Sequence, residues 1–250
     1  MLIALSLKRA KTGIREKGKI MQMAVSDRKT GRGRLLPLKV WDLPTRVFHW
    51  LLAALVGGAW YTAEYGPMEI HALIGQAILT LVVYRLFWGI FGSETARFWN
   101  FIKGPRAVLG YAKGLLTGTS NEPVGHNPLG ACMIVALLIL LVMQAVFGLM
   151  GNDDIFFEGP LFNLVGKEWS DTLTGYHHLL FNGILLAVII HVSAAIFYLV
   201  VKRENLIGPM ITGMKWWPTP LPKVRMTPAW LALPVLAVAA ALVWAAVTYL

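Results

Sequence analysis

Six histidines occur in the chain: His49, His71, His126, His177, His178 and His191. Five lie within or at the ends of long apolar runs, and His126 stands just ahead of one. An ionisable group inside hydrocarbon is costly and marks a functional site. Neutral imidazole is also a common metal ligand, so the spacing of these residues matters. His177 and His191 are 14 residues apart. That is nearly four helical turns, which places them on one face about 21 Å apart along the axis. His178 and His191 are 13 apart, a rotation of about 220° that separates their faces. His178 is therefore read as the extra histidine, facing headgroups or making a hydrogen bond.

The elements that must position these residues are five apolar runs. They cover Leu43–Thr62, His71–Phe91, Leu129–Met150, Tyr176–Val200 and Trp230–Leu250. A run of about 20 apolar residues matches the thickness of a bilayer core. With 56% hydrophobic and 14% charged residues, the composition excludes an ordinary soluble domain. The expected fold is an all-α integral membrane protein of five transmembrane helices; the grouping of the first four into a bundle, with the fifth as a C-terminal helix, is what the family resemblance given below implies.

The net charge of +10 suggests nucleic-acid binding until its placement is read. Of the 23 lysines and arginines, 22 fall in residues 1–46, Arg85–Lys113 and Lys202–Arg225, the exception being Lys167. All three segments share one side if the N-terminus is cytoplasmic, as the positive-inside rule requires. The opposite side receives Glu64, Glu69, Asp153, Asp154, Glu158, Glu168 and Asp171. The charge is topological, and nucleic acid is not an expected partner. The expected orientation has the N-terminus cytoplasmic and the C-terminus on the opposite side; that the membrane is a bacterial inner membrane and the far side the periplasm is what the resemblance given below implies.

Depth then pairs the histidines. The first run goes outward and carries His49 near its cytoplasmic end; the second begins outside with His71. The fourth goes inward, placing His177 outside and His191 deeper. The levels match as His71 with His177 outside, and His49 with His191 inside. Two stacked bis-histidine sites are the expected arrangement for two b haems, with helices supplying an imidazole to each side of a ring. Zinc prefers clustered Asp, Cys or His ligands. The runs hold no carboxylate and a single cysteine, Cys132, which also excludes a disulfide or CxxCH site in this chain alone.

Supporting residues follow from the same register. Arg85 is 14 residues after His71, on one face at the level of the inner pair, where it could meet a haem propionate or snorkel to the interface. Gly75, one turn after His71, would let a porphyrin approach the backbone. His126 is read as an interface or propionate contact, and Gln144 as a bundle hydrogen bond or quinone contact.

Residues 1–39 read as a basic, disordered cytoplasmic arm, in which Met21 and Met23 are alternative starts. The opening MLIALSL is too short for the apolar core of a signal peptide. Residues 40–215 form the expected bundle, and 216–250 a linker and fifth helix. The stretch FWNFIKGPRAVLGYAKGLL suggests an amphipathic interfacial helix. Residues 151–175 read as an acidic, aromatic outer loop, and Trp216 and Trp217 as interface anchors.

The elements TRVFHW, EIHALIGQ, YRLFWGIFGSETARF, GHNPLGA and GYHHLLFNGILLAVIIH resemble the bacterial cytochrome b561 family. The branch they most resemble holds the cytochrome b subunits of nickel–iron hydrogenases, over about residues 38–215. The resemblance implies a four-helix bundle with two b haems, ligated by His49, His71, His177 and His191. It also implies electron exchange between quinone and a periplasmic partner, a cytochrome c or a hydrogenase-like subunit. The basic arm, the tandem His177-His178 and the fifth run depart from that pattern. A histidine-based transition-metal transporter is the alternative reading.

Overall fold

The computed structural model describes residues 34–120 and 123–250. The greater part of the arm expectation, residues 1–33 with Met21 and Met23, lies outside the described residues. Two units are distinguished. One combines the chain up to Leu38 with Lys215–Lys223, and the other holds Lys39–Met214 with Val224–Leu250.

In the smaller unit the described chain forms a two-stranded ladder. Strand β1 (Leu35–Lys39) pairs with β2 (Met214–Pro218). The ladder continues where the Thr219 N–H donates to the Arg34 carbonyl at 3.2 Å. This corrects the reading of residues 35–39 as part of a disordered arm, and it adds a short ladder to a fold that is otherwise helical. The strands pair across some 175 residues, and such a long-range partner leaves no local periodic signal.

The larger unit is helical. Its main helices are α1 (Leu43–Tyr65), α2 (Met68–Phe91), α3 (Pro105–Thr117), α4 (Pro128–Leu149), α5 (Phe162–Val200) and α6 (Ala232–Tyr249). By length and composition, four helices can cross a membrane: α2, α4, α5 and the helix Ala229–Tyr249 that contains α6. Helix α1 has the length but falls short on composition. Many large apolar residues of α5 face outward, among them Leu179, Leu186 and Ile189. In water such a surface would drive association; against lipid it is the expected exterior.

Caps set the helix starts. Asp42 accepts from the Thr45 N–H at 2.8 Å, with Pro44 in the first turn. Asn127 accepts from the Gly130 N–H at 2.7 Å, with Pro128 opening the helix. Each side chain satisfies an N–H that the helix cannot, and proline loses nothing at that position. Asp42 also accepts from Trp88 Nε1–H at 3.1 Å, tying the start of α1 to the end of α2.

Helix α2 is central, packing on α1, α4 and α6, while α4 packs on α5. Val82 and Trp88 of α2 and Ala239 of α6 are fully buried. The fifth apolar run is thus part of the packed core. At the start of α4, Asn127 Nδ2–H donates to Tyr198 Oη at 3.1 Å, and Tyr198 Oη lies 2.9 Å from Tyr111 Oη of α3. The expected amphipathic helix is present but split. A short turn, Phe98–Phe101, precedes α3, which begins at Pro105.

The expected outer loop is shorter than read, because Phe162–Gly175 belongs to α5. Gly166 breaks the helix near its start at φ 75°, a value that costs glycine nothing. Beyond it, Ser170 Oγ–H donates to the Met150 carbonyl at 2.7 Å and accepts from Asn152 Nδ2–H at 2.6 Å. These bonds hold an extra-membrane turn that hydropathy alone cannot detect.

Candidate functional site

Two imidazole pairs form between α5 and the α1–α2 hairpin. His71 of α2 and His177 of α5 have ring centres 6.0 Å apart, at 82° to one another. His49 of α1 and His191 of α5 have ring centres 6.2 Å apart, at 48°. Between His177 and His191 helix α5 is unbroken, so the two levels are separated by about 21 Å of helical rise.

The two pairs are held differently. His71 Nδ1–H donates to the Ala59 carbonyl of α1 at 2.9 Å. His177 Nδ1–H donates to the Gln144 carbonyl of α4, also at 2.9 Å. A proton fixed on Nδ1 leaves Nε2 as the lone-pair nitrogen and orients the ring. The Gln144 side-chain amide donates to His177 Nε2 at 3.1 Å. That bond and metal ligation through the same nitrogen exclude each other, so the amide must turn aside for ligation. Gly148, one turn beyond Gln144, forms the notch for the ring: a Cβ there would lie 2.9 Å from His177 Cε1.

Beside this pair is a cavity of about 500 Å³, lined by Trp60, Gly75, Leu141, Phe181 and Ile184 among others. Its size falls within the range of small-molecule and cofactor sites, about 300–1,000 Å³. Nothing lies within 4 Å of where a Gly75 Cβ would be, so the space beside that backbone is open. Glu64, Asp153 and His178 also line the cavity. His178 is exposed, with its ring centre 6.1 Å from that of His177, and it stands outside both pairs.

Around the second pair, hydrogen bonding is missing. His49 Nδ1 is buried without a partner, and among the described residues His191 has no hydrogen bond to the protein. Arg85 is 3% exposed, which excludes snorkelling to the surface. Its guanidinium lies 4.7 Å from the centre of the Phe98 ring, and its Nη1 has no partner. Phe98 fits there because Gly89 has no Cβ; one would meet the ring at 2.0 Å.

His126 is wedged between Trp41 and Phe101, with ring centres 4.4 and 4.6 Å away, and its Nδ1 is shielded and unpartnered. Burial, and then the nearby charge of Arg85, push this imidazole down to about 3. His191 and His49 act in the same direction.

Helical spacing in the sequence does not reveal Gly148, Gly89, Phe98 or the Ala59 carbonyl. A small residue one turn from a polar one, as in Gln144 and Gly148, is the only trace any of them leaves in sequence. Among the described residues no group of three or more His, Cys, Asp or Glu side chains could hold a bare metal ion.

A multi-pass apolar bundle with histidines paired between helices defines the class: a membrane protein built to hold a flat, metal-bearing cofactor between imidazoles. The family model described as prokaryotic cytochrome b561 matches residues 40–213, and the chain belongs to that family. It is thus a membrane b-type cytochrome, an electron-transfer protein whose cofactor is haem b. Among its relatives is a protein of Rhizobium leguminosarum bv. viciae named "Probable Ni/Fe-hydrogenase B-type cytochrome subunit". It is 28% identical over 210 residues, covering 70% of this chain and 87% of the relative. Proteins of the same name from Azotobacter vinelandii and Rhodobacter capsulatus are 24% and 22% identical. Each alignment covers 70% of this chain, and 87% and 79% of the respective relative. No solved structure matches the chain significantly.

The residues fit the cofactor. A metal–imidazole bond of about 2.0 Å on each side, plus about 1.1 Å from each nitrogen to its ring centre, would separate two imidazoles that share a metal by about 6.2 Å. The observed separations are 6.0 and 6.2 Å.

Proposed function

We propose that this protein is a dihaem cytochrome b that carries electrons between quinone and a redox partner on the periplasmic side. The observation that carries this reading is the presence of two imidazole pairs at bis-ligand separation on one continuous helix. In it, His71 and His177 are the axial ligands of an outer haem, and His49 and His191 those of an inner one. Five helices span a bacterial inner membrane, with the N-terminus cytoplasmic and the C-terminus periplasmic. Residues 40–215 form the haem-binding bundle, and the fifth helix packs on it through α2.

Haem b bound at these pairs supplies a one-electron iron couple. The protein contributes orientation and charge. Ala59 and Gln144 fix the outer imidazoles through their carbonyls. Arg85, buried with a free Nη1, is placed to receive a propionate of the inner haem. Burial of a guanidinium is costly without an acceptor, and a propionate is the missing one.

The partner reading rests on the relatives' names and on the outer surface. A hydrogenase-like subunit is favoured over a cytochrome c because the relatives carry the hydrogenase name. Asp153 accepts from the backbone N–H groups of Phe157, Ile155 and Phe156, which hold its carboxyl below the usual range and keep it charged. Such an acidic surface steers a partner with a basic patch.

The test is reduced-minus-oxidised absorbance with haem quantification on the purified chain. Two haems per chain are expected; colourless protein that carries zinc or iron flux would establish the transporter reading instead. His178→Ala is expected to retain both haems, because this exposed residue stands outside both pairs. Selective loss of the outer haem in that variant would transfer the ligand role from His177 to His178.

A further inference from the structure

We propose that the His49/His191 site has the higher midpoint potential of the two, and that Arg85 and unequal hydrogen bonding of the imidazoles cause the difference. The inference rests on the reading that both pairs ligate haem iron, and it adds an order to them.

Two independent observations point the same way. At the outer pair both imidazoles donate Nδ1–H to a backbone carbonyl at 2.9 Å. Such a bond gives the imidazole partial anionic character and makes it a stronger base. A stronger base favours the ferric ion, which carries one more positive charge than the ferrous ion, and so lowers the potential. At the inner pair neither imidazole has such a bond among the described residues, and His49 Nδ1 is buried without a partner. Its imidazoles are weaker donors, which leaves the potential higher.

Fixed charge adds to this. Arg85 is a buried cation of α2, 14 residues after His71 on one continuous helix, and so about 21 Å from the outer level and at that of the inner pair. Its nearest carboxylate by charge, Asp42, accepts from Thr45 and Trp88 and forms no ion pair with it among the described residues. A positive charge in a low-dielectric site disfavours the ferric form. The outer cavity is lined by Glu64 and Asp153, whose charges act oppositely, and by Asp154, which is paired with Lys167. Exchange of one electron between the sites, with no proton moved, therefore favours reduction at the inner site and oxidation at the outer.

The test is an optical redox titration of the purified full chain. The wild type should show two one-electron steps. His49→Ala should remove the higher step and leave the lower, and His71→Ala should do the reverse. Arg85→Leu should lower only the higher step, by about tenfold in the equilibrium constant, or about 59 mV for one electron. Arg85→Lys, which keeps the charge, should restore most of it.

Loss of the lower step in His49→Ala would overturn the proposed order. An unchanged higher step in Arg85→Leu would overturn the role given to Arg85. Should Arg85→Leu fail to accumulate, the two histidine variants still decide the order. Retention of both haems by each of those variants would overturn the ligand assignment itself, a result distinct from a reversed order.

Discussion

Replacing His191 with alanine is expected to halve the haem content of the purified protein and to remove one spectral component completely. Axial imidazole is the bond that holds a b haem, since no thioether link is available to a chain whose single cysteine is Cys132. Under the proposed assignment His49 would be the remaining ligand, and among the described residues it has no hydrogen bond to hold its ring in place, so retention of haem at that site is not expected. The outer haem should survive, because His71 and His177 are oriented by α1 and α4 through bonds that do not involve His191. Haem-to-protein stoichiometry and the low-temperature spectrum measure this directly. Loss of both haems together, with the helical content intact, would contradict the independence of the two sites.

Gly148→Ala is expected to act as strongly on the outer haem while changing no ligand. The added Cβ would lie 2.9 Å from His177 Cε1 and 3.1 Å from Nδ1. The ring must rotate or α4 and α5 must separate, and either movement breaks the 2.9 Å bond to the Gln144 carbonyl. Overpacking of this kind costs about 1–3 kcal/mol in a packed interior. Here it falls on an imidazole whose direction sets the iron bond. The expected result is a large loss of outer haem, a shifted spectrum for what remains, and an unaltered inner haem. A control at Gly57 of α1, an exposed glycine outside the cavity where an added Cβ meets nothing within 4 Å, separates steric pressure on His177 from a general intolerance of alanine. Normal outer-haem occupancy in Gly148→Ala would show that the notch has no part in placing His177.

The histidine pairing was legible in sequence for a simple reason. Helical rise and rotation are local, so a 14-residue interval on an apolar helix sets both phase and depth without knowledge of any neighbour. Apolar helices were legible because lipid demands length and composition, both of which are one-dimensional, and four of the five runs lie in helices long and apolar enough to cross a membrane. Only their bounds moved: α5 begins at Phe162, fourteen residues before the apolar run it contains. The ladder between β1 and β2 was not legible, because pairing across most of the chain leaves no local period.

The site shows the same division. Residue types and intervals alone determined that His49, His71, His177 and His191 belong to two levels of one bundle, with Arg85 at the level of His49 and His191. Tertiary structure decided what each imidazole touches: the carbonyls of Ala59 and Gln144 at one pair, and no protein acceptor at the other. It also decided that Gly148 makes room for His177 and that Arg85 is buried over Phe98. Those contacts lie between helices, and the rotation and spacing of neighbouring helices come from packing, which no single helix encodes.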